Sequence, residues 1–185
     1  MTERLYYTDS KRKRFTAEVT SCEARKDGYA VTLDRTAFFP EGGGQAGDSG
    51  FIGQVRVLDT QEKDGEVLHY VNQPLAVGAE YDCAIDWEIR FRRMQNHSGE
   101  HIVSGLVHKK YGYNNIGVHM GSDFVTIDFD GELTWEQLTE LEREANLAVA
   151  ADHKISASFP PEEVLKKLQY RSKLEPKENV RSAAR

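Results

Sequence analysis

The feature that most constrains this chain is a switch in hydrophobic period near Asp86-Trp87. Before it, apolar residues recur at every second position in short runs closed by turn residues; after it, they recur at every third or fourth. Phe15–Cys22 alternates apolar and polar, Lys26-Asp27-Gly28 makes a turn, and Tyr29–Leu33 alternates again, which is a hairpin pattern. Phe51–Leu58, Glu66–Val71 and Glu80–Ile85 are further predicted strands, the last two separated by a Gln73-Pro74 loop and Gly78. Short strands at this spacing predict a small barrel or sandwich. From Ile89 to about Tyr111 there is no proline, and Phe91, Met94, His101, Ile102, Gly105 and Leu106 share one side of a 3.6-residue helix, which predicts a long, core-packed helix. Tyr113–Gly117 reads as a loop and Phe124–Phe129 as a strand. Thr134 with Gln137 forms a capping box opening a second helix, whose apolar face carries Leu138, Leu141, Ala145, Ala148 and Val149. A third, short helix is predicted from Pro161 through Leu168. The fold class expected is α+β: a small β-barrel module over residues 1–88, then an α+β module over residues 89–185.

Composition narrows the function classes. Hydrophobic residues make up 39% and charged residues 29%, with a mean hydropathy of -0.61, as in an ordinary globular protein. No run approaches about 18 apolar residues, and the first residues lack the apolar core of a signal peptide, so a cytoplasmic location is expected and a membrane partner is not. Cys22 and Cys83 each sit in a predicted strand, too isolated for a CxxC knuckle, and read as two buried thiols. The net charge of -6 argues against a surface basic all round. The positive charge is nevertheless concentrated: residues 164–185 hold seven Lys/Arg against two Glu, and Lys11-Arg-Lys-Arg14 adds four more. Removing these nine net charges leaves the rest of the chain at -15. Such segments suit local phosphate contacts, although solvated faces are the commoner origin of charge runs.

Two motifs carry chemistry. In Asn96-His97-Ser-Gly-Glu-His101, the histidines stand four apart, one helical turn, so both imidazoles can reach one ion at the usual Zn–N distance of about 2.0–2.1 Å. The carboxylate does not directly follow the first histidine, so this is not the HExxH of metalloproteases; Glu100 lies about 100° around the helix from His101. On spacing alone, structural histidines are the commoner use of such a pair. The second motif is Thr36-Ala-Phe-Phe-Pro-Glu-Gly42-Gly43-Gly44-Gln45, followed by Gly47-Asp-Ser-Gly50. Three glycines allow left-handed backbone and close approach to a ligand, and the Gln45 amide offers donors and an acceptor. From composition alone, a plain turn between strands is the commoner use of such a loop. The loop lacks the Lys-Ser/Thr of a P-loop, which disfavours ATP. Of the other histidines, His69, His108 and His153 are expected in surface or capping positions, and His119 as a pocket lining.

Taken as a series, Thr36–Gln45, Gly47–Gly50, Ile85-Asp86-Trp87 with Arg90 and Met94, His97–His101, Gly117–Met120, Ile127–Phe129 and Glu142–Asn146 resemble the editing domain of alanyl-tRNA synthetases and its freestanding relatives, the AlaX proteins. The likeness runs from about residue 5 to 180. It implies a β-barrel joined to the second-domain fold shared by threonyl- and alanyl-tRNA synthetases. It also implies hydrolysis in trans of tRNA(Ala) mischarged with serine or glycine, with zinc as cofactor. Carried over residue by residue, it makes Thr36, Gln45, His97 and His101 catalytic, Gly42, Gly43, Gly44 and His119 substrate-binding, and His97 and His101 metal ligands. The family completes its zinc site with a downstream CxxxH; here no cysteine follows Cys83, and the chain reads as a shortened form with half of that site. The alternative is an inert relative that binds tRNA or protein without metal.

Overall fold

The computed structural model describes residues 2–121, 124–156, 158 and 160–168. Most of the basic C-terminal run lies outside them. The observed class is mixed α and β. The strands are β1 (Glu3–Arg4), β2 (Arg14–Arg25), β3 (Gly28–Leu33), β4 (Arg35–Thr36), β5 (Gly50–Ile52), β6 (Val55–Lys63), β7 (Glu66–Val71), β8 (Glu80–Ile85), β9 (Asn115–Met120) and β10 (Val125–Phe129). The helices are α1 (Trp87–Tyr111), α2 (Trp135–Ala150) and α3 (Glu162–Leu165).

The described residues of 1–100 and 118–126 form one compact unit, and those of 101–117 and 127–185 a second. In the first, six antiparallel strands pair in the order β2-β3-β7-β6-β5-β8 and β8 returns to β2, closing the sheet into a barrel. Alternation produces it: Ala17 and Val19 of β2, Val31 and Leu33 of β3, Val67 and Val71 of β7 all point inward and are buried. The predicted strand over 51–58 is two strands, because the chain turns between Ile52 and Val55, which pair with each other. Outside the ring, β1 runs parallel to β4, matching Glu3 with Arg35 and Arg4 with Thr36.

In the second unit the Thr134–Gln137 capping box forms as the sequence predicts: the Gln137 N–H donates to Thr134 Oγ1 and the Thr134 N–H to Gln137 Oε1. Leu138, Leu141 and Ala145 of α2 line an apolar groove of about 340 Å³ with Val103, Val107 and Phe129. Val149, expected on the same face, is exposed. Lys110 of α1 reaches Glu140 and Glu144 of α2 at 2.7 and 2.6 Å. The predicted loop at 113–117 is largely strand, since β9 starts at Asn115 and pairs with β10.

The long helix differs from its sequence reading in an informative way. Its buried positions are Arg90, Glu100, Ser104 and Val107, and Phe91, placed on the core face by periodicity, is exposed. The buried stripe therefore lies one residue off the apolar one and is mostly polar, as a helix turned toward a site would be.

Candidate functional site

The site is built on the Gly-rich loop that follows β4 and on the first half of α1. Gly42 and Gln45 exchange both backbone hydrogen bonds at 3.0 Å, so Gly43 and Gly44 are the central residues of a two-residue turn. Both have positive φ, +61° and +81°, as a type I′ turn requires. A side chain at either would meet a neighbour: a Cβ on Gly43 would stand 3.2 Å from His97 Cε1, and one on Gly44 3.3 Å from the Val118 carbonyl oxygen. The loop backbone thus lies directly against the His97 ring. Gln45, almost fully buried, places Oε1 3.2 Å from His97 Nδ1.

Below this turn the loop is fastened to α1. Asp48 and Arg90 form a buried ion pair, and the Phe39 N–H donates to the same Asp48 oxygen at 2.8 Å. Burial pushes the Asp48 carboxyl up, against the pull of the Arg90 guanidinium and the Phe39 N–H. Arg93, one turn along, donates to the Gly47 carbonyl at 2.6 Å, and Thr60 Oγ1 donates to the Asp48 carbonyl at 2.8 Å. At the start of α1, Asp86 is held by Arg56 at 2.6 Å and by the Ser49 hydroxyl, and the Arg56 hydrogen bonds keep its carboxyl below the usual range.

Thr36 occupies a different place from the other candidate residues. It is fully buried, and its hydroxyl is committed. His69 Nδ1 lies 3.0 Å from the Val31 carbonyl, which can only accept, so the proton sits on Nδ1 and Nε2 is an acceptor. Thr36 Oγ1 donates to that Nε2 at 2.8 Å and accepts from the Phe38 N–H at 3.1 Å. His69, expected in a surface or capping position, is therefore a core residue, and burial lowers its pKa to about 4. His108 and His153 are exposed, as expected. His119 is exposed on β9, next to the Val118 that Gly44 approaches.

Among the described residues, His97, Glu100 and His101 form a group able to hold a metal ion, with one ligand atom from each lying within 4.8 Å of the others. All three belong to a turn and a half of α1. Glu100 does not turn away as the 100° step suggests; it is buried and its longer side chain reaches back to the histidines. Two histidines and one glutamate are a known catalytic zinc set, and tetrahedral ligands at about 2.0–2.2 Å stand roughly 3.4 Å apart, so closure by little more than 1 Å makes the set fit the ion. Cys22 and Cys83 are both free, and burial pushes the Cys83 thiol up to about 12.

The sequence pattern gave Asp48 and Arg90 no role, did not single out Arg93 and put His69 in a surface or capping position. A signal existed for the helix: Arg90, His97 and Ser104 are polar residues seven apart, which marks a polar face on a helix otherwise judged by its apolar residues.

Residues 2–89 match the family model described as class II (A) tRNA synthetases. The alanyl-tRNA editing protein AlaX-M of Saccharolobus solfataricus is 37% identical over 172 residues, covering 88% of this chain and 70% of the relative. The chain belongs to the AlaX family of alanyl-tRNA editing proteins. The AlaX-L protein of Pyrococcus horikoshii is 36% identical over 82% of this chain and 39% of its own length. Aarsd1-A of Xenopus laevis is 41% identical over 64% of the chain and 29% of its own length. This AlaX-family chain thus spans well under half the length of those two relatives. None of its helices among the described residues is long and apolar enough to cross a membrane.

Proposed function

We propose that this chain is a cytoplasmic trans-editing deacylase that hydrolyses the ester of tRNA(Ala) mischarged with serine or glycine. The observation that carries the reading is the approach of Gln45 and Gly43 to His97, which joins the Gly-rich loop to the two-histidine helix. The names of the relatives, all alanyl-tRNA editing proteins, supply the substrate class. The physical need is general: a pocket built for alanine cannot strongly reject an amino acid with one added hydroxyl or one methyl fewer, so a second sieve must act on the product.

In this reading Gln45 Oε1 accepts from His97 Nδ1–H, which leaves Nε2 as the only lone pair of that ring. Zinc held by His97, His101 and Glu100 would polarise the ester carbonyl and acidify a water. Gln45 uses its amide N–H to read the serine hydroxyl, while the Gly42–Gly44 backbone and His119 line the pocket around the terminal adenosine. Thr36, with its hydroxyl committed in the core, holds the loop from behind instead of touching substrate. The β-barrel bearing the loop ends near residue 88, and the remainder is of the synthetase second-domain type.

The test is deacylation of Ser-tRNA(Ala) and Gly-tRNA(Ala) by the protein and by His97→Ala/His101→Ala. Loss of hydrolysis in the variant supports the reading, and equal rates overturn it. The alternative reading is an inert relative that binds tRNA or protein without metal. Stoichiometric zinc in the purified protein is incompatible with that alternative.

A further inference from the structure

The basic run Lys11–Arg14 plays no part in ester hydrolysis, yet it is placed beside aromatic rings. Arg14 pairs with Ala84, Ala84 with Phe51 and Phe51 with Arg56, so these residues form one row across β2, β8, β5 and β6. The adjoining row, Phe15, Cys83, Ile52 and Val55, packs into the core, so the Arg14 row is the outer face. On it Phe51 is 41% exposed, with the Arg56 guanidinium 4.9 Å from its ring centre. Lys13, whose carbonyl accepts from the Ile85 N–H, sets its Nζ 4.8 Å over the Trp87 ring. Trp87 in turn stacks on Phe91, with centroids 5.6 Å apart and planes 25° from parallel, and Phe91 is 42% exposed.

Neither the core nor the candidate site uses these rings. The exposed rings of Phe51 and Phe91 and the half-buried ring of Trp87, with cations beside Phe51 and Trp87, complement unstacked bases joined by phosphates, and Lys11 and Arg14 add exposed charge on a chain of net charge -6. A duplex hides its base faces and would leave the rings idle. We propose that Phe51, Trp87 and Phe91 form a stacking ledge, and Lys11–Arg14 a phosphate rail, for single-stranded RNA. Trp87 precedes His97 by ten residues, roughly 15 Å along α1, so a strand on the ledge reaches the site within a few nucleotides. That this strand is the acceptor end of a tRNA rests on the function proposed above; the ledge itself does not.

The test is fluorescence anisotropy with a labelled, uncharged 12-nucleotide RNA ending in CCA, against the same sequence as a duplex. Phe51→Ala/Phe91→Ala is expected to weaken single-strand binding about tenfold or more with an unchanged salt slope. Lys13→Ala/Arg14→Ala is expected to reduce the slope of log affinity against log salt by about 1.4. In a Trp135→Phe background Trp87 is the sole tryptophan, and its emission falls on binding. Equal affinity for duplex and single strand, unchanged affinity in both double variants, or preference for anionic lipid vesicles over RNA each overturns the ledge. Binding is read with uncharged RNA and hydrolysis with Ser-tRNA(Ala), so failure of the ledge and failure of the deacylase reading are separate outcomes.

Discussion

Gln45 Oε1 lies 3.2 Å from His97 Nδ1, and that contact fixes the tautomer of the histidine. An amide oxygen can only accept, so the proton rests on Nδ1 and the lone pair of the ring lies on Nε2, the atom that would serve as ligand or base. Partners of this kind are worth about 10–100-fold in metal affinity. Gln45→Ala should therefore weaken zinc binding by that factor in a chelator competition, while Gln45→Glu, which keeps an acceptor, should retain most of it.

Gly43 and Gly65 separate strain from crowding. Both have positive φ, but a Cβ at Gly65 meets nothing within 4 Å, whereas at Gly43 it presses on the His97 ring. Each Ala variant should lose about 1–2 kcal/mol of stability in urea unfolding. Only Gly43→Ala should also lose deacylation, and equal activity in the two variants would refute the contact.

His69 makes the fold acid-sensitive in a defined window. Its pKa falls from 6.5 in the unfolded chain to about 4 in the folded one, so the unfolded state binds more protons between those values. The stability it contributes is complete above pH 6.5, is lost as pH drops toward 4, and amounts to about 3 kcal/mol. Urea midpoints measured at pH 7 and pH 4.5 should diverge less in His69→Gln than in the parent.

The Asp48–Arg90 pair should be costly to break from one side. Arg90→Met leaves a buried carboxylate with one N–H partner and should destabilise the protein by about 3–5 kcal/mol in thermal or urea unfolding. Asp48→Asn, which keeps an acceptor for the Phe39 N–H, should recover part of this loss. Equal stability of Arg90→Met and the parent would show that the loop is fastened elsewhere.

The strands were readable where one face is buried, because Ala17, Val19, Val31 and Leu33 impose a period of two that no helix shares. The Thr134 cap was readable because it is chemistry within four residues. The turn between Ile52 and Val55 was not, since apolar residues continue through it. The orientation of α1 was missed because its buried face is made of Arg90, Glu100 and Ser104, residues that composition assigns to solvent. Within the candidate site, Gln45 and His97 were evident from residue type. The committed state of Thr36 was not, because it depends on His69, thirty-three residues away in sequence.

The closed ring of β2 to β8 also sets an order of events during synthesis. β2 pairs with β8 through Arg14 and Ala84, seventy positions apart, so the seam cannot be made until the last strand has left the ribosome. Until then β2 and β5 each present an unpaired edge, open to wrong partners. A nascent chain stalled short of residue 85 should therefore be the aggregation-prone species, and the emergence of β8 the step that ends its exposure.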